Sequence, residues 1–333
     1  MPEFEGMREA PPMFTAVIPL FDKAATIQRA LDSVFGQQLP PAEVVVVNDG
    51  STDGGDAIAR RHGDPRVRVL DQPNCGVSAA RNAGLHAATQ PFVAFLDADD
   101  RWRPDFLARM RDLIEAHPGG VLYGAGFFTV EGDAIKRYHG IGRSAADTRP
   151  AGVVDYFAER IRDFPLHTST TVVRREAALS VGGFPEGVAI AEDHIFWAKL
   201  ALMGPVVITP EPLAEYDVAV PGQAVGFWHT AYRERFEILE YHRFLADELR
   251  RRTAAGRGAD SFATLARQEL RTAVMQRMYW GNFAAVERIW CELDLRGLGL
   301  GPVAGACAWV GLHPAARRLI RPLLAGLRSM RRR

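Results

Sequence analysis

The sequence predicts an α/β protein: a mainly parallel sheet flanked by helices, followed by a helical C-terminal extension. Three observations carry this. Phe14–Leu20 (FTAVIPL), Glu43–Val47 (EVVVV) and Phe92–Leu96 (FVAFL) are short unbroken apolar runs, the pattern of strands covered on both faces. The segments between them carry apolar residues at helical spacing. From about Gly222 onward the pattern is helical alone.

Taken in order, Phe14–Leu20 is the first strand. Ile27, Ala30, Leu31, Val34 and Phe35 then share one face of a helix. Glu43–Val47 is the second strand, and the turn-rich NDGSTDGG leads into a short helix reaching about His62, with Gly63 closing it. Arg66–Leu70 alternates as a strand, Val77–Ala88 reads as a helix and Phe92–Leu96 as a further strand. This β-α-β-α-β-α-β order predicts a mainly parallel sheet with helices on both faces, with ligands at the C-terminal strand ends. Residues 125–217 are less regular, with strands expected near Tyr123–Val130, Ile135–His139 and Thr168–Arg174, a helix over 192–203 and an extended Val206–Asp217. In the C-terminal part, Ile238, Tyr241, Leu245 and Leu249 share a helix face, as do Leu270, Val274 and Met278, with Thr253–Asp260 as a loop between helices. The expected boundaries are a tail over 1–13, a domain over 14–220 with halves 14–124 and 125–220, and a helical region with a basic tail over 221–333.

Composition excludes several classes. Hydrophobic residues make up 47% and charged residues 24% of the 333 positions, which is ordinary for a globular protein and excludes disorder or a disulfide scaffold. Forty basic residues balance 40 acidic ones, so no bulk basic charge marks a nucleic-acid binder. Cys75, Cys291 and Cys307 are far apart and odd in number, which fits a reducing compartment and no structural zinc. The opening MPEFEGMREAPP has no apolar segment of a secretory signal. The zero net charge hides an asymmetry, because residues 301–333 hold seven Arg and no acid.

Four clusters could carry chemistry. Asp97-Ala98-Asp99-Asp100 puts three carboxylates within four residues directly after a strand. Such a group suits a hard divalent ion shared with substrate phosphates, or else a solvated acidic turn before the helix near Pro104. Val44–Asp53 delivers Asn48 and Asp49 into a Gly-Ser-Thr turn, fit for a nucleobase contact or for plain helix capping. In Asn74–Gly84, Arg81 falls where it points back over the sheet edge or pairs with a carboxylate on the surface. Glu192-Asp193 opens an apolar helix after Gly182-Gly183-Phe184-Pro185-Glu186, as a general base or as a capping box.

The motifs VIPLFDKAATIQRALDSVFGQQ, VVVVNDGSTDGG, NCGVSAARNAG, FVAFLDADD and GGFPE…EDHIFW occur in one order over about Thr15–Tyr216. Together they resemble family 2 of the nucleotide-sugar glycosyltransferases, whose fold is the Rossmann-like GT-A. The resemblance implies inverting transfer of a sugar from a nucleoside-diphosphate sugar, with uridine as the expected base, to an acceptor hydroxyl in cell-surface or lipid-linked glycan synthesis. It implies that Pro19 and Asp49 line the base pocket, with Arg81 close to the base or diphosphate. Asp97, with Ala98, would contact the ribose or uracil side, and Asp99 would bind Mn²⁺ or Mg²⁺ at the diphosphate. Asp193, in the Glu192-Asp193 pair, would be the general base.

This chain departs from the family pattern at three places. Phe21-Asp22 stands where many relatives carry Asn, and YDVAVPGQ has Val220 where many carry a metal-binding His. That leaves His229 or a water as the third metal contact. QRMYW has Tyr279 where processive synthases of the family have Arg, which points to a non-processive enzyme. An inert nucleotide-sugar-binding module and a nucleotidyltransferase are the competing readings; the second normally needs a Gly-rich loop that VIPLFDKAAT lacks. The acceptor is expected to be a glycan, a lipid-linked species or a small molecule. The expected location is the cytoplasm, with the basic tail either a solvated helix face or a peripheral contact with the inner face of the plasma membrane.

Overall fold

The computed structural model describes residues 14–132, 134–140, 150–162, 166–188, 191–219, 240–279, 282–313 and 316–317. The chain forms two compact units, residues 1–221 and 222–333.

In the first unit the strands are β1 (Phe14–Leu20), β2 (Glu43–Asn48), β3 (Val67–Asp71), β4 (Phe92–Phe95), β5 (Arg101–Trp102), β6 (Leu122–Glu131), β7 (Ala134–His139), β8 (Gly152–Val154), β9 (Thr171–Arg174) and β10 (Val206–Asp217). The helices are α1 (Ile27–Phe35), α2 (Gly55–Arg61), α3 (Val77–Ala87), α4 (Phe106–Ala116), α5 (Tyr156–Ile161), α6 (Arg175–Ser180) and α7 (Glu192–Met203). Among the described residues they build one ten-stranded sheet of order β3-β2-β1-β4-β9-β6-β10-β5, with β7 on β6 and β8 on β10. The pairs β3/β2, β2/β1, β1/β4 and β6/β10 are parallel, while β9 runs antiparallel to both β4 and β6. The sheet is thus the mixed, mainly parallel kind that the β-α repeat predicts.

The physical cause is burial. All seven residues of β1 and all four of β4 are buried, as the unbroken apolar runs require. In α1 the buried residues are Ile27, Ala30, Leu31 and Val34, the face read from the spacing. At Gly84 a Cβ would stand 2.3 Å from Val17 Cγ1. Glycine there lets α3 lie directly on β1, which carries Arg81 inward over the strand ends. The expected strand near Thr168–Arg174 is shorter than its apolar pattern, because Thr168–Thr170 forms a 3₁₀ turn before β9. That turn faces the acidic loop after β4.

In the second unit the described helices are α8 (Glu240–Ala254), α9 (Ser261–Tyr279), α10 (Phe283–Glu292) and α11 (Pro302–Leu312). Tyr241, Leu245, Leu249, Leu270, Val274 and Met278 are buried, as their shared faces predict. No helix of the described residues is long and apolar enough to cross a membrane. His229, Ile238, the Val220–Gly222 stretch and most of the Arg-rich tail lie outside the described residues.

Candidate active site

The site is built at the C-terminal ends of β1, β2 and β4, where the polar clusters of the sequence converge. Pro19 is buried within β1, in register with Val47 of β2. Asp22, just past β1, has φ 47, a left-handed conformation that Asp and Asn tolerate better than most residues. Its Oδ1 accepts from Thr52 N at 2.8 Å, and its own N–H donates to Ser51 Oγ at 3.2 Å. Asp22 therefore ties the β1 loop to the Gly-Ser-Thr turn.

Asp49 is 2% exposed. Its Oδ1 accepts from Gln72 Nε2 at 2.7 Å and Cys75 N at 2.9 Å, and its Oδ2 accepts from Gly76 N at 2.9 Å. Asp49 thus fixes the turn that starts α3, a role its motif did not disclose.

Arg81 is the central cation. Its side chain is 5% exposed, with Nη2 donating to Asp97 Oδ1 at 2.8 Å and Nη1 to Glu192 Oε1 at 3.0 Å. The guanidinium sits 5.2 Å from the Phe184 ring centroid. One residue on, Asn82 accepts from Phe184 N at 2.8 Å and donates to Phe184 O at 2.9 Å and to Glu186 Oε1 at 3.0 Å. Gly183 has φ 66, and a Cβ on it would lie 2.4 Å from Asn82 Oδ1. The Gly-Gly-Phe-Pro-Glu turn is therefore docked on α3, and this docking aims the start of α7 at Arg81.

The acidic turn divides by partner. Asp97 is held below the ordinary carboxylate range: burial works against its charge, and Arg81 and His167 outweigh burial. Ala98 is buried. Asp99 pairs with Lys23 Nζ at 2.8 Å, and its carbonyl accepts from Arg29 Nη2 at 2.7 Å. Asp100 is 1% exposed and is pushed well above its ordinary range by burial and by the charges of Asp97 and Asp99. Ser169 joins the two halves of the site. Its Oγ accepts from Asp97 N at 3.1 Å and donates to Asp100 Oδ2, while its carbonyl accepts from Trp102 Nε1 at 2.8 Å. His167 Nδ1 lies 3.6 Å from Asp100 Oδ2, and burial holds this imidazole below its usual range.

The sequence brought Asp97, Asp99, Arg81, Glu192 and Asp193 into view, and they do gather at one edge of the sheet. Asp100 was read as one more acid in a triplet, and Lys23, His167 and Ser169 were missed. The segment His167-Thr168-Ser169 carries no motif, and only the topology brings it beside Asp100. His229, the other histidine considered, is not among the described residues.

The donor set can hold a hard divalent metal. Asp97, Asp100 and His167 each offer a ligand atom within 4.8 Å of the others. Asp100 Oδ1 is buried with no hydrogen-bond partner, a costly state that a cation would relieve.

At the start of α7, Glu192 is pushed up to about 7 by burial and by the charge of Asp193, against the opposing pull of Arg81. Burial takes His194 down to about 4. Between about pH 4.5 and 7 the folded protein keeps a Glu192 proton that the unfolded chain has lost. This group therefore makes stability fall as pH rises through that window. Glu192→Gln is expected to flatten the fall, read as melting temperature against pH from 4.5 to 8; an unchanged slope would place the ionisation elsewhere.

The sequence model of the glycosyl transferase family 2 matches residues 15–180, the span that contains β1 to β9 and most of this site. The chain belongs to that family, and its class is that of a glycosyltransferase. It is 28% identical over 255 residues to the protein MT1568 of Mycobacterium tuberculosis, covering 74% of this chain and 76% of that one. It is 44% identical over 107 residues to the succinoglycan biosynthesis protein ExoO of Rhizobium meliloti, covering 32% of this chain and only 30% of ExoO. Among solved structures, S. aureus TarS 1–349 in complex with UDP-GlcNAc superimposes with a TM-score of 0.59 at 20% identity, covering 94% of this chain and 92% of that one. At that identity the likeness is one of fold.

Proposed function

We propose that the protein transfers a sugar from a uridine-diphosphate sugar to an acceptor hydroxyl with inversion, one residue at a time, in glycan synthesis. One observation carries the reading. A cation-seeking carboxylate cluster and a helix-start carboxylate pair sit on opposite sides of Arg81, which bonds to both. An inverting displacement needs two such groups: one that stabilises the leaving diphosphate and one that takes a proton on the opposite face of the sugar.

The residues then divide the work. Pro19 and Asp49 shape the base pocket. Asp49 Oδ2, which accepts from Gly76 N, keeps a second lone pair for a nucleobase N–H. The acidic turn holds a divalent metal, Mn²⁺ or Mg²⁺, with Asp97 and Ala98 beside the ribose and diphosphate and Asp99 at or beside the ion. Such an ion, when bound, acts as a Lewis acid on the diphosphate oxygens. Asp193 takes the acceptor proton as the hydroxyl attacks the anomeric carbon and the sugar–phosphate bond breaks. Arg81, bonded to Asp97 and Glu192, confines charge between the two groups. The sugar passes through an oxocarbenium-like state, as in glycoside hydrolysis, and no enzyme nucleophile is required. The uridine preference is supported by the UDP-GlcNAc bound to TarS, and a role in polysaccharide assembly by the biosynthetic role named for ExoO. Tyr279 in place of Arg in QRMYW supports non-processive action.

A thermal-shift panel of UDP-, GDP-, dTDP- and CDP-sugars with and without Mn²⁺ tests the reading. A ligand at a hundred times its Kd stabilises the fold by about 2.7 kcal/mol, a rise of several degrees. A UDP-sugar is expected to give the largest rise, and only with the metal. No rise with any donor would contradict the reading.

A further inference from the structure

We propose that residues 318–333 are a peripheral anchor that binds the surface of a bilayer carrying anionic lipid, with the Arg side chains on headgroup phosphates and an apolar stripe in the interface. The inference is independent of the sugar-transfer reading.

Charge comes first. Six Arg fall within residues 318–333, and the last acid of the chain is Asp294. Solvated helix faces gain from i,i+4 pairs of opposite charge. Arg111 with Glu115 on α4 and Arg288 with Glu292 on α10 are such pairs. Residues 318–333 have no acid of their own to pair with. Their charges repel one another and favour an anionic surface from outside.

Spacing comes second. At helical spacing Leu319, Ile320, Leu323, Leu324, Leu327 and Met330 share one arc of about 140°. Arg318, Arg321 and Arg328 fall on the other side, and Arg331–Arg333 form a terminal run. Pro322 stands off the apolar arc. A basic segment divided in this way is the pattern of an interfacial anchor.

The place where the segment starts comes third. Ala316 is buried, and Arg317 Nη2 donates to Glu287 Oε2 of α10 at 2.7 Å. The segment therefore continues from a fixed point just past α11, a helix without a charged residue. The second unit offers the stripe little apolar surface of its own. Among its described residues, Met275 and Leu312 are the large apolar side chains left exposed, at 39% and 37%. Six large apolar residues thus need cover from elsewhere, and the Arg beside them select an anionic bilayer over an uncharged one. The contact runs along the membrane, because α11 with its 11 residues is about 16 Å long against a hydrocarbon core of about 30 Å.

Flotation of the full-length protein with vesicles tests this without any turnover. The vesicles are phosphatidylcholine alone or phosphatidylcholine mixed with phosphatidylglycerol. The protein is expected to float with the mixed vesicles, to stay behind with the neutral ones, and to be released by high salt. Each Arg near an anionic surface is worth about fivefold in partition, so replacing Arg318, Arg321, Arg328 and Arg332 by Gln is expected to weaken binding by more than ~10²-fold. Replacing Leu319, Leu323 and Leu327 by Ser is expected to abolish flotation as well. Both variants should keep the parent's melting temperature, since the changes lie beyond the packed Ala316. Parent-level binding by either variant overturns the proposal, as does equal binding to both kinds of vesicle. A parent protein that floats with neither also overturns it; light scattering then shows whether a second copy covers the stripe.

Discussion

Asp193→Asn is expected to leave nucleotide-sugar binding near normal while sugar transfer falls by ~10²–10⁴-fold, the usual contribution of a general base. Asp193 sits in the first turn of α7, where the helix dipole favours a carboxylate. Its Oδ1 accepts from His194 N at 2.7 Å, a bond the Asn oxygen can keep, so the variant removes the proton acceptor and little else. The loss should fall on kcat, with the donor KM and the melting temperature nearly unchanged. Steady-state transfer and donor titration on the same preparation separate these quantities. Near-normal transfer would move the base to Glu192, the other carboxylate of the pair.

Arg81→Leu is expected to cost about 3–5 kcal/mol of stability near neutral pH, the cost of stripping one partner from a buried ion pair. Two carboxylates, Asp97 and Glu192, lose their common cation at once. Lowering the pH lets both take protons, so the deficit should shrink between pH 8 and pH 5. Denaturant unfolding of the variant and the parent at both values measures this. An equal deficit at both values would mean that Arg81 contributes by packing on Phe184 rather than by charge.

Much of the fold was legible because its signals are local. β1, β2 and β4 announce themselves as buried strands by unbroken apolar runs, and α1 by the spacing of Ile27, Ala30, Leu31 and Val34. Site residues on strand exits were legible for the same reason, since a polar cluster directly after a buried strand has few places to go. What stayed hidden depends on pairings across the chain. Asn82 contacts Phe184 and Glu186 from 102 and 104 residues away. Asp49, read as a ligand contact, spends three hydrogen bonds on the loop before α3. His167 meets Asp100 only because β9 runs antiparallel between β4 and β6. No periodicity encodes that crossover. The sequence likewise showed Asp22 as a departure from the family pattern, and the structure shows what it does there: it bonds the loop after β1 to the Gly-Ser-Thr turn after β2.

The central claim is an inverting displacement with one carboxylate base and no enzyme nucleophile. Proton NMR of a UDP-α-sugar incubated with the protein and Mn²⁺ tests it most directly, because water serves as a slow acceptor when the natural one is absent. The α-linked donor signal is expected to decline while UDP accumulates, and the first sugar anomer to appear, before mutarotation, is expected to be β. A first product with α configuration would contradict it, as would a donor that stays intact with every acceptor tried.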